Sequence, residues 1–175
     1  MNVLIAGFGG QGILFAGRFL AHIGLSDGLE VSWLPSYGPE MRGGTANCSV
    51  ILSEERIGSP IVGRPDTLVV MNMPSLDKYE QSVLPGGMLI TDSTLVSRKP
   101  ERNDIAFHTV PATRLASENG ISKLANMIIT GMLLRQSGLC GLERAEQVMR
   151  GIIPEKRKDL IALNMRAIAL GYAFQ

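Results

Sequence analysis

The sequence predicts an α/β fold, a doubly wound and mostly parallel sheet with helices on both faces. Three observations carry that expectation. Short apolar runs recur at residues 3–6, 67–71 and 88–91. They are apolar at consecutive positions, as strands covered on both faces are. Segments of helical period separate several of them, the pattern of strand–helix–strand units.

The first strand, 3–6, ends at Gly7. The turn Gly7-Phe8-Gly9-Gly10-Gln11-Gly12 follows, and then a helix over 13–23, with Leu14, Gly17, Ala21 and Gly24 at helical spacing. A second strand spans 30–34. Residues 35–44 are polar, glycine-rich and hostile to helix, which predicts a loop. Strands over 46–52 and 67–71 come next. Pro74 starts a helix in its first turn, and that helix ends before Pro85-Gly86-Gly87. Strands over 88–91 and 105–110 follow, the latter stopped by Pro111. A short helix over 111–118 closes at Asn119-Gly120, and an apolar helix over 124–136 closes at Ser137-Gly138. Helices over 142–150 and 156–169 complete the chain, the last with Leu160, Leu163, Ala167 and Leu170 on one stripe. There is no repeat and no linker, so residues 1–175 are expected to form one domain. Its C-terminal helical third should pack on the sheet.

Composition narrows the function. Hydrophobic residues make up 45%, enough for a core, and charged residues only 19%, below the usual share of about a quarter. A net charge of +1 gives no basic field for nucleic acid. Lys156, Arg157 and Lys158 read as the solvated start of a helix. Cys48 and Cys140 form no CxxC pair, so neither a disulfide framework nor an iron–sulfur cluster is expected on this chain. A reducing cytoplasm is then the default compartment. The start lacks the basic and cleavage regions of a signal peptide, and no apolar run suits a membrane span. No G-x-x-x-x-G-K-[ST], no Gly-Asp-Gly and no His-Glu-x-x-His occurs, and His22 and His108 have no triad-like neighbours. The expectation is therefore no catalytic residue and no metal site on this chain.

Gly7, Gly9 and Gly12 match G-x-G-x-x-G between a strand and a helix, the context of a Rossmann-like nucleotide turn. The first glycine permits the tight turn, the second clears room for a phosphate, and the third lets helix and strand pack closely. Free N–H groups and the helix dipole favour an anion there. A dinucleotide site also wants an acidic residue after the second strand. That stretch is Ser32-Trp33-Leu34-Pro35-Ser36, with no carboxylate. Three uses of the turn remain: a dinucleotide, another anion such as a CoA phosphate, or a tight turn that serves packing or a partner chain.

Residues 36–45 read Ser36-Tyr37-Gly38-Pro39-Glu40-Met41-Arg42-Gly43-Gly44-Thr45. The segment follows the second strand, at the end of the sheet where doubly wound folds bind ligands and partners. It is either a surface loop with Glu40 paired to Arg42, or a contact surface with Tyr37 and Arg42 as anchors.

Together, Gly7-Phe8-Gly9-Gly10-Gln11-Gly12-Ile13 and Ser36 to Gly44 resemble the paired signatures of the gamma subunit of 2-oxoacid:ferredoxin oxidoreductases. Residues 124–127 and 164–172 resemble that family's apolar and closing helices. The resemblance covers essentially the whole chain, least distinctively over 98–120. It implies one subunit of a cytoplasmic multi-subunit enzyme that turns a 2-oxoacid, CoA and oxidised ferredoxin into acyl-CoA, CO2 and reduced ferredoxin. Thiamine diphosphate, magnesium and iron–sulfur clusters would sit on alpha, beta or delta partner subunits, with ferredoxin engaged through the complex and CoA as co-substrate. By analogy the substrate leans to 2-oxoglutarate, with pyruvate, branched-chain and indolepyruvate types open. This chain would bind no cofactor of its own. Gly7, Gly9, Gly10, Gln11 and Gly12 would meet a CoA phosphate or a partner. Tyr37, Glu40, Met41, Arg42, Gly43 and Gly44 would form the interface. The competing expectation is a free-standing Rossmann-like nucleotide-binding module.

Overall fold

The computed structural model describes residues 1–36 and 45–175. β1 (Asn2–Phe8) leads into α1 (Ile13–Ser26), followed by β2 (Glu30–Ser36) and β3 (Thr45–Ser53). β4 (Thr67–Val70), α2 (Met73–Tyr79), β5 (Met88–Asp92) and β6 (Ala106–Val110) come next. Four helices end the chain: α3 (Ala112–Glu118), α4 (Ala125–Ser137), α5 (Leu142–Ile152) and α6 (Asp159–Ala173). The strands form one sheet in the order β2-β3-β1-β4-β5-β6.

The sheet is mostly parallel, as expected. β1, β4, β5 and β6 pair in parallel, while β3 is antiparallel to both β1 and β2. Only β3 therefore runs against the rest. The reason lies in the chain. Between β2 and β3 there are only residues 37–44, and a parallel return needs a crossover of a dozen or more residues.

β2 also runs two residues past its expected end, through Pro35, which pairs with Cys48, to Ser36. A proline fits there because β2 is an edge strand, where a missing ladder donor costs little. α6 starts at Asp159 and not at Lys156, because Glu155–Arg157 forms a 3-10 turn.

Alternation along the strands divides the core. Val3 and Ile5 of β1, Cys48, Val50 and Leu52 of β3, Val69 of β4 and Ile90 of β5 face one large cluster with α1, α4, α5 and α6. Leu4, Leu68, Val70 and Leu89 face a smaller one, closed by Leu76 of α2, Val83 and Val96. α4 is buried on every side from Ala125 to Leu134, as a helix apolar all round must be. It crosses α6 at Gly131 and Gly171, where an added Cβ would strike the backbone of the facing helix.

The thinner face is held by a buried carboxylate. Glu80, 2% exposed, accepts from Arg98 Nη1 at 2.8 Å and from the Glu101 N–H. Arg98 also reaches Asp77 at 2.7 Å, and Arg102 donates to the Val83 carbonyl. These contacts tie the segment after β5 to α2. Replacing Glu80 by Ala strands the Glu101 amide and part of Arg98. The expected loss is about 2–3 kcal/mol of stability, read as a lower urea midpoint with an unchanged slope.

Candidate functional site

β1, β4, β5 and β6 all hand over at the same end of the sheet, where open α/β sheets bind their ligands. There the chain must turn from β1 into α1 between Phe8 and Ile13. The Gln11 N–H donates to the Phe8 carbonyl at 3.2 Å, closing a four-residue turn. Gly10 sits at φ +91°, the sign that the third position of a type II turn requires. Gly12 sits at φ +77°, just before the helix. Both conformations are left-handed and suit glycine.

The glycines divide the labour differently from the expectation. Gly7 is buried, and a Cβ there would lie 2.6 Å from Gln11 Oε1 and 2.7 Å from Ile13 Cδ1. A Cβ on Gly12 would lie 2.5 Å from Asn126 Nδ2, so the third glycine makes room for α4 and not for the first strand. Gly9 and Gly10 are exposed, and a Cβ on Gly10 would meet nothing within 4 Å. The turn is thus crowded inside and open outside.

Gln11 fastens the crowded side. Its Oε1 accepts from the Phe8 N–H at 2.6 Å, and its Nε2 donates to the Met71 carbonyl, just past β4, at 3.1 Å. Its amide is engaged at both ends within the fold. Asn126, on the first turn of α4, donates from Nδ2 to the Gly12 carbonyl at 3.1 Å.

On the open side, α1 has no side-chain cap and no acidic residue in its first turn. Its first amides have no intrahelical acceptor, and the helix dipole adds partial positive charge. A small anion, or a carbonyl of another chain, is what such a place can hold. A dinucleotide ribose is harder to accommodate, because β3 lies where the second strand of a dinucleotide fold would lie. The end of β2 is thereby pushed about 10 Å from β1. Tyr37, Glu40, Met41, Arg42, Gly43 and Gly44 fall outside the described residues.

Two polar groups at this end were not singled out from the sequence. Asp92, fully buried, accepts from the Thr94 N–H at 3.0 Å, and from Thr113 through N–H at 3.1 Å and Oγ1 at 2.5 Å. It latches the end of β5 to the start of α3. Asn126 is the other; a single amide in a run otherwise apolar was the available signal.

The remaining chemistry-bearing side chains lie elsewhere. His22 is on α1, roughly 14 Å along the axis from Ile13. Burial alone lowers the pKa of His108 on β6. Cys48 is fully buried under α1, and burial pushes its thiol up to about 12. Cys140 is pushed up to about 11, first by burial and then by Asp27. Among the described residues no group of His, Cys, Asp or Glu could hold a metal, and no helix is long and apolar enough to cross a membrane. A cavity of about 860 Å3 at the opposite end of the sheet, against Met1, Leu52 and Arg64, carries neither histidine nor cysteine.

Two predictions follow from this geometry. Gln11→Ala leaves the Phe8 amide and the Met71 carbonyl without their partner and should cost about 1–3 kcal/mol in chemical denaturation. An unchanged midpoint would release Gln11 from this role. For Cys48 the unfolded thiol ionises near 9.0 and the folded one near about 12. Stability from this group is therefore complete below pH 9.0 and is lost as the pH climbs toward about 12. Cys48→Ser should flatten that alkaline decline in urea unfolding.

Comparison with known proteins gives a consistent picture. The family model described as pyruvate ferredoxin/flavodoxin oxidoreductase matches residues 2–174. The ketoisovalerate oxidoreductase subunit VorA of Methanothermobacter thermautotrophicus is 40% identical over 173 residues, covering 98% of this chain. The chain spans only 35% of that relative's length. The 2-oxoglutarate synthase subunit KorC of Methanothermobacter marburgensis is 38% identical over 170 residues, covering 92% of this chain and 91% of the relative. Among solved structures, the gamma subunit of a keto/oxoacid ferredoxin oxidoreductase from Geobacter sulfurreducens superposes with a TM-score of 0.82. It is 28% identical, with 98% of this chain and 95% of that one covered.

Proposed function

The chain belongs to the pyruvate ferredoxin/flavodoxin oxidoreductase family, and from that premise we propose that it is the gamma-type subunit of a 2-oxoacid:ferredoxin oxidoreductase. Residues 1–175 act as one domain of a cytoplasmic, multi-subunit enzyme. The complex converts a 2-oxoacid, CoA and two oxidised ferredoxins into acyl-CoA, CO2, two reduced ferredoxins and the proton released from the CoA thiol. Two electrons leave the substrate, one to each ferredoxin. Thiamine diphosphate with magnesium supplies the decarboxylation chemistry, and iron–sulfur clusters carry the electrons, all on alpha, beta or delta partners. The substrate is 2-oxoglutarate or a branched-chain 2-oxoacid, the classes named in the related subunits KorC and VorA. Those relatives are themselves called subunits, VorA of an oxidoreductase and KorC of a synthase, which favours this reading over a free-standing nucleotide-binding module.

The chain's own work is recognition. One observation carries it: the uncapped first turn of α1 lies beside Gly10, which has open space before it. Gly9, Gly10 and Gly12 free the backbone there, and α1's amides take a CoA phosphate. Tyr37, Glu40, Met41, Arg42, Gly43 and Gly44 dock the subunit on the alpha chain and line the CoA entry.

Steady-state kinetics of the assembled complex test this. Gly10→Val and Arg42→Ala should each raise KM for CoA about tenfold while kcat stays within about twofold. Gly86→Val, at a glycine of similar φ (+75°) in the turn before β5, controls for backbone strain. Equal KM values in all four complexes would remove CoA from this subunit. Lost assembly on size exclusion, without a change in KM, would leave a docking role alone.

A further inference from the structure

We infer that Asn126, on a distant helix, is the positioning residue that aims the first amide of α1 out of the glycine turn. The inference rests on the recognition role proposed for that turn and names the side chain that enforces it.

The Gly12 carbonyl and the Ile13 N–H belong to one peptide unit. That unit is planar and trans, so fixing the oxygen fixes the hydrogen, which points the opposite way. The Gly12 oxygen accepts twice: from the Ala16 N–H at 3.1 Å, the opening bond of the helix, and from Asn126 Nδ2 at 3.1 Å. The second bond joins residues 114 apart in sequence. Gly12 has a left-handed φ of +77° and no side chain to restrain it. To the helix's own bond from Ala16, Asn126 adds a second restraint on that peptide from outside the helix. With the carbonyl held toward α4, the Ile13 N–H points the opposite way, among the amides that have no intrahelical acceptor.

What sets Asn126 apart is where its donor goes. Asn126 is 3% exposed, yet its Oδ1 has no hydrogen-bond partner among the described residues. Asn164 of α6, 4% exposed, has an equally unpartnered Oδ1, but its Nδ2 returns to the Leu160 carbonyl of its own helix. Thr130, the other buried polar side chain of α4, returns its bond to its own helix at the Asn126 carbonyl. Only Asn126 among these reaches out of α4. It spends its donor on one target, the peptide unit that ends in the helix's first amide.

The test uses the assembled enzyme with Asn126→Asp, which keeps the shape and loses the donor, and Asn126→Ala. Gly10→Val is measured beside them. Three quantities are read: the thermal midpoint, hydrogen exchange of the peptide covering residues 9–16, and KM and kcat for CoA. The inference expects faster exchange in that peptide, KM for CoA raised about tenfold, and kcat within about twofold. If Gly10→Val raises KM but neither Asn126 variant does, the inference falls and the recognition reading stands. If Gly10→Val also leaves KM unchanged, the reading falls and takes the inference with it. Variants that do not fold would assign Asn126 to the core and overturn the inference equally.

Discussion

Between Phe8 and Ile13 the chain has four residues in which to leave a buried strand and enter a buried helix. The geometry is possible only with left-handed backbone at Gly10 and Gly12. Left-handed glycines are also the most mobile residues available, so a turn built from them needs restraint. Gln11 supplies it on the β4 side and Asn126 on the α4 side. The rest of the site depends on this arrangement. With the inner surface filled by side-chain amides, the first amides of α1, which have no intrahelical acceptor, lie beside the open space at Gly10. We read such a surface as one for recognition; among the described residues no group of His, Cys, Asp or Glu could hold a metal.

The topology reinforces that separation. β3, inserted against the direction of its neighbours, stands where a nucleotide-binding fold would put its second strand. The fingerprint glycines therefore survive without the partner strand that would place a carboxylate beside a ribose. A turn of this kind can serve one phosphate group, or another chain, without the dinucleotide geometry. Membership in the pyruvate ferredoxin/flavodoxin oxidoreductase family fits a division of labour in which partner subunits would carry the redox groups.

Much of this was legible in the sequence. The strands, the helices and the turn each announced themselves through apolar runs, period and glycine placement, and Pro74 and Gly138 marked a helix start and a helix end. Strand direction was not legible from apolar runs, since a run looks the same read either way; only the short spacing from Ser36 to Thr45 encoded the reversal of β3. Pro35 misled for a related reason, because its tolerance in β2 depends on that strand being at an edge. The glycine motif predicted a tight turn but not its supports. Gln11 was identified as a contact residue, yet its amide turns inward. Asn126 lies 114 positions from the glycine it holds, and no local pattern ties the two.

We propose that this chain recognises and leaves the reaction to its partner subunits. Its most direct test is to purify the polypeptide by itself and assay it with 2-oxoacid, CoA and ferredoxin, and separately titrate it with NADH. The claim predicts no turnover and no binding at micromolar concentrations, with activity returning only when the partner subunits are added. Turnover by the lone chain, or a tight dinucleotide complex, would contradict it.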